Sequence, residues 1–381
     1  MINNSESTSR SRVGQFFVNV GTFFWSDKLL LISLIAAIGT SLLHTPRLSY
    51  VNWHVVVNVF CIMTLVQVYE KLHVLDFLAG RLISKNNTER SLIQTLVALT
   101  FVTSMFMTND MTVLTFVPLV ILIALRCSFS PIMPVTMITI AANLGSSLMP
   151  FGSPHNITIV STYHLGIFQF FGYSLPLMLM SVVALAAVTF LFPKRQIKVG
   201  ELPQIKVDTK PLYIFIPLTI IVFLTVFEVV PMEVTIALII IATFFFDKKL
   251  FKKVDYGLLI TIFCFFIAVG NLGRIPAVAN FISSFGRTPI DTYLTGIVTC
   301  QVISNVPAII LLSNFTKNAH ALFLAINIGG LGTMWASLAN LIAYKRYKTG
   351  YGRDIFKYVM TFSGVNMAFL VVFTIIGLFL L

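Results

Sequence analysis

Charge is what this sequence has least of. Only 10% of its 381 residues are Asp, Glu, Lys or Arg, and only 14 residues are acidic. A soluble domain of this size carries roughly a quarter charged residues, so too little polar surface exists to cover a water-soluble globule. Cysteine is scarce as well. Cys61, Cys127, Cys264 and Cys300 lie in or at the end of apolar segments, which argues against a disulfide framework. No Walker loop occurs, so ATP-driven pumping by this chain alone is not expected, and neither HExxH nor GxSxG is present. A cleavable signal pattern is also missing. The polar stretch Ser5–Arg12 leads into an amphipathic one at Phe16–Phe24, and the first span is expected to be retained as a signal anchor.

What is present is apolar. Hydrophobic residues make up 57% of the chain, with 35 Phe. Apolar runs long enough to cross a hydrocarbon core recur along it. Plain spans are expected at about 29–43, 51–69, 173–192, 211–229, 234–246, 256–271 and 358–380. Amphipathic stretches at 72–83 and 276–285 suit the membrane interface. Two segments are broken at their centres, 92–125 at Thr108-Asn109-Asp110 and 293–316 at Ser304-Asn305-Val306-Pro307. Two more are interrupted by glycine or proline, 132–168 at Gly145, Pro150, Gly152 and Pro154, and 321–344 at Gly329, Gly330 and Gly332.

The basic residues test this layout. We place the N-terminus in the cytoplasm and fold the two centre-broken segments back as re-entrant hairpins. Of the 26 Lys and Arg residues, all but Arg47, Arg274, Arg287 and Lys317 then fall on the cytoplasmic side, as the positive-inside rule requires. The C-terminus lies outside. Eleven ordinary spans would alternate the basic clusters incorrectly. The net charge of +12 therefore reads as topology and contact with acidic lipid heads, not as a nucleic-acid surface.

Two stretches read alike. Asn143, Gly145, Ser153 and Asn156 coincide with Asn327, Gly329, Ser337 and Asn340 at a constant offset of 184 residues, and Phe151 meets Trp335. Upstream, Thr108-Asn109 matches Ser304-Asn305, and Phe60-Cys61 matches Phe263-Cys264. The order of elements also repeats: span, amphipathic helix, hairpin, broken helix, span. The expected fold class is an all-α polytopic membrane protein of the inverted-repeat secondary-transporter kind. Residues 1–28 form a cytoplasmic tail and interfacial helix, 29–193 the first repeat, 194–210 a cytoplasmic linker and 211–381 the second repeat.

Broken helices survive in a membrane only where protein or a polar cavity covers their unpaired backbone. Exposed half-helix N-termini offer N–H groups to an anion, and exposed carbonyls offer oxygen to Na⁺. Asn109, Asn156, Asn305 and Asn340 can bind substrate or brace these loops. Asp110 is the one carboxylate expected at mid-membrane depth. It reads as a Na⁺ or proton site, with helix capping as the alternative. His155 reads equally as an anion-holding or titrating group and as a satisfied polar residue.

The hairpin-tip pairs Thr108-Asn109 and Ser304-Asn305, followed by Gly-rich broken helices ending in Asn156 and Asn340, resemble the ion transporter superfamily. It includes divalent anion:sodium symporters, citrate transporters, arsenite permeases and a sodium/proton antiporter branch. The resemblance runs from about residue 29 to the end. It implies two inverted repeats, a scaffold that dimerises, and a transport domain that moves as an elevator. In the symporter branch a Ser-Asn-Thr motif in each tip holds substrate carboxylates, with Na⁺ bound by adjacent loops. Here the tips read Thr-Asn-Asp and Ser-Asn-Val, departing at the third position. The Asn109-Asp110 pair is closer to the arsenite-permease and antiporter branches, where the acid implies proton or Na⁺ coupling.

The resemblance implies a substrate-binding set of Thr108, Asn109, Gly152, Ser153, Asn156, Ser304, Asn305, Thr333, Ser337 and Asn340. Ion coupling falls to Asp110, Asn143, Gly145, Ser146, Asn327 and Gly329, with Na⁺ itself at Asn109, Asp110, Asn143 and Asn305. The expected function is ion-coupled transport of a small citrate- or dicarboxylate-like anion across the cytoplasmic membrane. Na⁺ or H⁺ drives it, no other cofactor takes part, and the carrier is a homodimer in contact with lipid and not with nucleic acid. It is a transporter, not an enzyme. The alternatives are a sodium/proton antiporter or arsenite efflux permease, and then a channel or non-transporting receptor.

Overall fold

The computed structural model describes residues 28–74, 77, 86–197 and 207–381. The expected N-terminal tail lies outside the described residues except for Lys28, as do most of the amphipathic stretch 72–83 and residues 198–206 of the linker. The described residues form sixteen α-helices, three short 3-10 turns and one isolated antiparallel bridge, Thr88 to Gln196. The all-helical class expected from the apolar runs is what the described residues adopt.

The first half comprises α1 (Lys28–Leu43), α2 (Trp53–Lys71), α3 (Glu89–Phe106), α4 (Asn109–Arg126), α5 (Ile132–Gly145), α6 (Pro154–Tyr163) and α7 (Ile167–Thr189). The second comprises α8 (Leu212–Val226), α9 (Met232–Asp247), α10 (Tyr256–Leu272), α11 (Pro276–Ser284), α12 (Pro289–Ile303), α13 (Asn305–Ser313), α14 (Ala319–Gly329), α15 (Leu338–Gly350) and α16 (Ile355–Leu378). By length and composition α2, α4, α7 and α16 can each cross a membrane, while residues 29–43, α5, α8 and α14 are apolar but shorter.

Sequence explains where these helices start. Asn52, Thr88, Thr108 and Asp255 each accept a hydrogen bond from a backbone N–H of the following turn. Thr288 and Asp291 complete a reciprocal capping box at the start of α12. Hydroxyls inside the apolar helices turn back on their own backbone, as Thr100 does to Leu96, Thr136 to Ile132 and Thr139 to Val135. Polar atoms are thereby satisfied without a partner on a neighbouring helix.

The chain divides into two units. The smaller holds α1 and α10, one helix from each half, packed together. Asn271 Nδ2 donates to Ser41 Oγ at 3.2 Å, and the Tyr50 ring lies against Gly270, where no larger residue fits. The larger unit spans residues 52–254 and 280–381. The Phe60-Cys61 and Phe263-Cys264 match is thus not a match of surroundings: Cys61 lies in the larger unit and Cys264 in the smaller.

Within the larger unit the two halves are built alike. The centre-broken segments are the pairs α3–α4 and α12–α13, broken at Met107-Thr108 and at Ser304. The glycine-interrupted segments are the pairs α5–α6 and α14–α15. In each half the first arm of one packs along the first arm of the other, α3 on α5 and α12 on α14. Glycine permits the approach. A Cβ on Gly145 would strike Phe101 O and Ser104 Oγ, and one on Gly329 would lie 2.8 Å from Cys300 Sγ and 3.3 Å from Ile297 Cα. Residues 101 and 104 correspond to 297 and 300, so the two contacts are equivalent. The second arms instead cross over: α15 packs on α4, and α6 packs on α13. Each half therefore covers the other's second arm.

Gly145→Ala and Gly329→Ala are each expected to destabilise the protein by about 1–3 kcal/mol through overpacking. Gly145→Ala should cost more, because its obstacle includes a backbone carbonyl, while Gly329 meets a thiol. Thermal unfolding in detergent reads both effects.

Candidate functional site

The breaks create the site. Helix α5 ends at Gly145, the chain turns through residues 146–153, and α6 begins at Pro154. Carbonyls at such an end have no helical partner. Asn156, in the first turn of α6, reaches back and donates through Nδ2 to Ser146 O at 3.0 Å and Met149 O at 3.2 Å. The second half repeats this. Asn340 Nδ2 donates to Gly330 O at 3.1 Å and Thr333 O at 3.0 Å. Positions 146 and 330, and 149 and 333, keep the sequence offset of 184. An amide suits the task because it is short and carries two donors beside an acceptor.

The acceptor ends point across to the other half. Asn143 Nδ2 donates to Asn340 Oδ1 at 2.8 Å, and Asn327 Nδ2 donates to Asn156 Oδ1 at 3.0 Å. All four side chains are buried. Asn143 Oδ1 accepts from Asn109 Nδ2 at 3.1 Å and from Ser337 Oγ at 3.0 Å. Asn327 Nδ2 also donates to Phe323 O at 3.0 Å, and its Oδ1 faces His155 Nε2 at 3.2 Å. His155 Nε2 lies 2.9 Å from Ser153 Oγ. Two buried sets result: Asn109, Asn143, Ser337 and Asn340, and Ser153, His155, Asn156 and Asn327.

The remaining predicted residues stand around them. Thr108 is the N-cap of α4, accepting from Met111 N at 3.5 Å. The capping alternative for Asp110 is thereby filled by Thr108. Asp110 is half-buried in the first turn, its N–H donating to Asn109 Oδ1 at 3.0 Å. Asn305 Oδ1 likewise accepts from Val306 N at 3.0 Å, and its own N–H donates to Ala336 O at 3.0 Å. Asn305 makes no hydrogen bond with Asn109 or Asn143, so the four expected Na⁺ ligands are not drawn into one hydrogen-bonded group. Ser304 has φ +72°, in the region that L-residues avoid, at a cost of about 1–3 kcal/mol. Ser146 Oγ caps Asn143 O at 2.8 Å. Gly152 lies so close to Ser146 that a Cβ there would sit 2.9 Å from Ser146 Cα. Thr333 donates from its N–H to Gln301 Oε1 at 2.9 Å.

Gln301 is a residue that sequence reasoning missed. Its Nε2 donates to Gly329 O at 2.8 Å and Leu331 O at 3.1 Å, and so braces the second break. The available signal was an amide standing in the apolar run of α12. Neither buried set contains a charged side chain. A cavity of about 400 Å³ exists elsewhere, lined by Glu89, Met133, Phe192 and Lys357 among others, and none of the amide residues lines it.

Asn143→Ala would strip Asn109, Ser337 and Asn340 of a partner, whereas Asn327→Ala would strip Asn156 and His155. Each buried group left unpaired costs about 1–3 kcal/mol. Both variants should lower the unfolding temperature, Asn143→Ala more, as measured on purified protein in detergent.

Comparison with known proteins agrees with this architecture. Residues 23–321 match the model of the citrate transporter family. An uncharacterised transporter of Methanocaldococcus jannaschii is 30% identical over 77% of this chain and 81% of its own length. The inner membrane protein YbiR of Escherichia coli is 30% identical over 84% of this chain and 87% of its own. The crystal structure of the YdaH transporter of Alcanivorax borkumensis superposes with a TM-score of 0.51 at 11% identity, covering 84% of this chain and 83% of that one. The last likeness is one of fold. With the repeat, the crossed amides and these relatives together, the chain belongs to the citrate transporter family, within the ion transporter superfamily, and is a membrane transporter and not an enzyme.

Proposed function

We propose that the protein is an ion-coupled secondary carrier of a small anion of the citrate or dicarboxylate class. The observation that carries this reading is the crossed amide pairing at two helix breaks, Asn143 with Asn340 and Asn327 with Asn156. Four helices begin beside it, α4 at Asn109, α6 at Pro154, α13 at Asn305 and α15 at Leu338. A helix N-terminus carries about half a positive charge and free N–H donors. Ser153 and Ser337, at the N-caps of α6 and α15, make no capping bond to those donors. An anion can be held this way without a basic side chain, which accounts for the absence of Lys and Arg from both sets.

In this reading the α3–α4 and α12–α13 pairs are re-entrant hairpins opening to opposite membrane sides, and the halves are an inverted repeat. Alternating access follows an elevator motion in a homodimer of the cytoplasmic membrane, with the N-terminus inside. The coupling ion is Na⁺ or H⁺, and Asp110 is a residue through which it acts. A second reading is favoured by one observation. Asp110 follows Asn109 in the first half while Val306 follows Asn305 in the second. A carboxylate on one side only suits direct binding of a transported cation or proton, as in an antiporter.

Purified protein in liposomes, offered radiolabelled citrate, succinate and arsenite with Na⁺ or pH gradients, separates these. We expect saturable citrate or succinate uptake driven by one gradient, and Asp110→Asn should lower that accumulation at least tenfold. Accumulation that survives Asp110→Asn intact would remove Asp110 from coupling. Cation–proton exchange with no anion flux would replace the first reading by the second.

A further inference from the structure

The crossed symmetry fails at the serines that precede α6 and α15. Ser337 donates directly to Asn143 Oδ1. Its counterpart Ser153 makes no hydrogen bond with Asn327. The imidazole of His155 stands between them, with Nε2 2.9 Å from Ser153 Oγ and 3.2 Å from Asn327 Oδ1. The position equivalent to His155 in the second half is Ala339. The first half has thus gained a titratable ring where the second has a methyl group.

The neighbouring amides decide which ring nitrogen carries hydrogen. Asn156 Nδ2 donates to two carbonyls, so its Oδ1 is the end that meets Asn327. Asn327 Nδ2 donates to that Oδ1 and to Phe323 O. Asn327 Oδ1 is therefore the end facing His155, and it can only accept. The contact with Asn327 Oδ1 is a hydrogen bond only when His155 Nε2 carries the hydrogen, with Ser153 Oγ as the other group facing that nitrogen. In the neutral ring Nδ1 is then a bare lone pair. His155 is 2% exposed, and Nδ1 has no hydrogen-bond partner. Buried acceptors in native structures are normally satisfied, so one left open needs a reason.

We infer that Nδ1 of His155 is a proton-binding position of the carrier, and that a proton there and the transported anion bind cooperatively. This rests on the anion-carrier reading above. The step is a simple one: a proton adds to the Nδ1 lone pair while Nε2 keeps its hydrogen, and it leaves from the same atom when the anion departs. The helices packed on α6 supply no counter-ion. Helix α2 carries His54, Cys61, Tyr69, Glu70 and Lys71, α8 carries Tyr213, α14 carries His320, α13 carries no titratable group, and α6 itself adds Tyr163. None of these hydrogen-bonds or ion-pairs with His155. An imidazolium enclosed by amides, hydroxyls and hydrocarbon is costly. An anion held at the same junction offsets that cost. By linkage each ligand then strengthens the binding of the other to the same extent, which is what obligatory symport requires.

The test uses the full chain in liposomes with citrate and succinate as probes and a pH-sensitive dye inside. In the native protein anion entry should carry protons with it, and one unit of pH gradient should support about tenfold accumulation for each coupled proton. His155→Gln keeps an N–H donor toward Asn327 and replaces the basic nitrogen by an amide oxygen that takes up no proton near neutral pH. Its accumulation should no longer follow the pH gradient, and its KM for the anion should lose its pH dependence. Asn327→Asp sets a carboxylate against Nε2, and should move the midpoint of the pH profile upward by about one unit or more. Gradient-driven accumulation in His155→Gln equal to that of the native protein overturns the inference. If the native protein moves neither anion, the carrier reading fails instead. Nitrogen-15 NMR of histidine-labelled native protein then decides the proton site alone. A neutral Nε2–H ring that gains a second proton on acidification supports it. An Nδ1–H ring, or one that stays neutral until the protein unfolds, overturns it.

Discussion

Asn143 donates to Asn340 and Asn327 donates to Asn156, and these two hydrogen bonds let the backbone stay broken inside an apolar unit. A break exposes carbonyls and N–H groups that hydrocarbon cannot satisfy. Each Asn that follows a break covers the carbonyls of its own half, and its remaining oxygen is satisfied only by the other half. The close approach at Gly145 and Gly329, the crossing of α15 onto α4 and of α6 onto α13, and the placing of four helix starts in one region all accompany that exchange. The citrate transporter family assignment gives this arrangement its setting: a transporter whose two helix breaks are joined by amides, hydroxyls and backbone.

Much of this was legible from the chain itself. A constant offset between Asn143, Gly145, Ser153, Asn156 and their counterparts is visible as text, because breaks of equal length need equal spacing. The breaks were visible because Thr-Asn, Ser-Asn and clustered glycines interrupt runs that are otherwise apolar. The partnership was not. An offset reveals that two residues are equivalent, and equivalence does not say whether each pairs within its own half or with the other. The pairing of Asn143 with Asn340 and not with Asn156 is set by how second arms cross, a tertiary property. Gln301 was missed for a similar reason: one amide in an apolar helix has no periodic signature. Thr108 is the residue at the N-cap of α4 and Asp110 lies in its first turn, and helix boundaries are the least certain feature of any sequence pattern.

The two halves are similar without being equal. Thr108 enters α4 at an ordinary φ of −59°, while Ser304 enters α13 at +72°. The first tip is tied to the network by the Asn109 side chain, the second by the backbone N–H of Asn305 on Ala336. Strain is held on one tip and acidity on the other. The break loops differ too: Phe151 is buried, whereas its counterpart Trp335 is largely exposed. Functional asymmetry within a repeated frame is expected of a carrier, since a perfectly symmetric one would treat both membrane sides alike.

The crossing of second arms also bears on how the chain is made. Asn156 waits for a donor 171 residues further along, and Asn143 for an acceptor 197 residues further along. A ribosome delivers roughly 5–20 residues each second, so Asn156 Oδ1 and Asn143 Nδ2 wait on the order of ten seconds or more for their partners in the second half. The junction between the halves is complete only when Asn327 and Asn340 arrive.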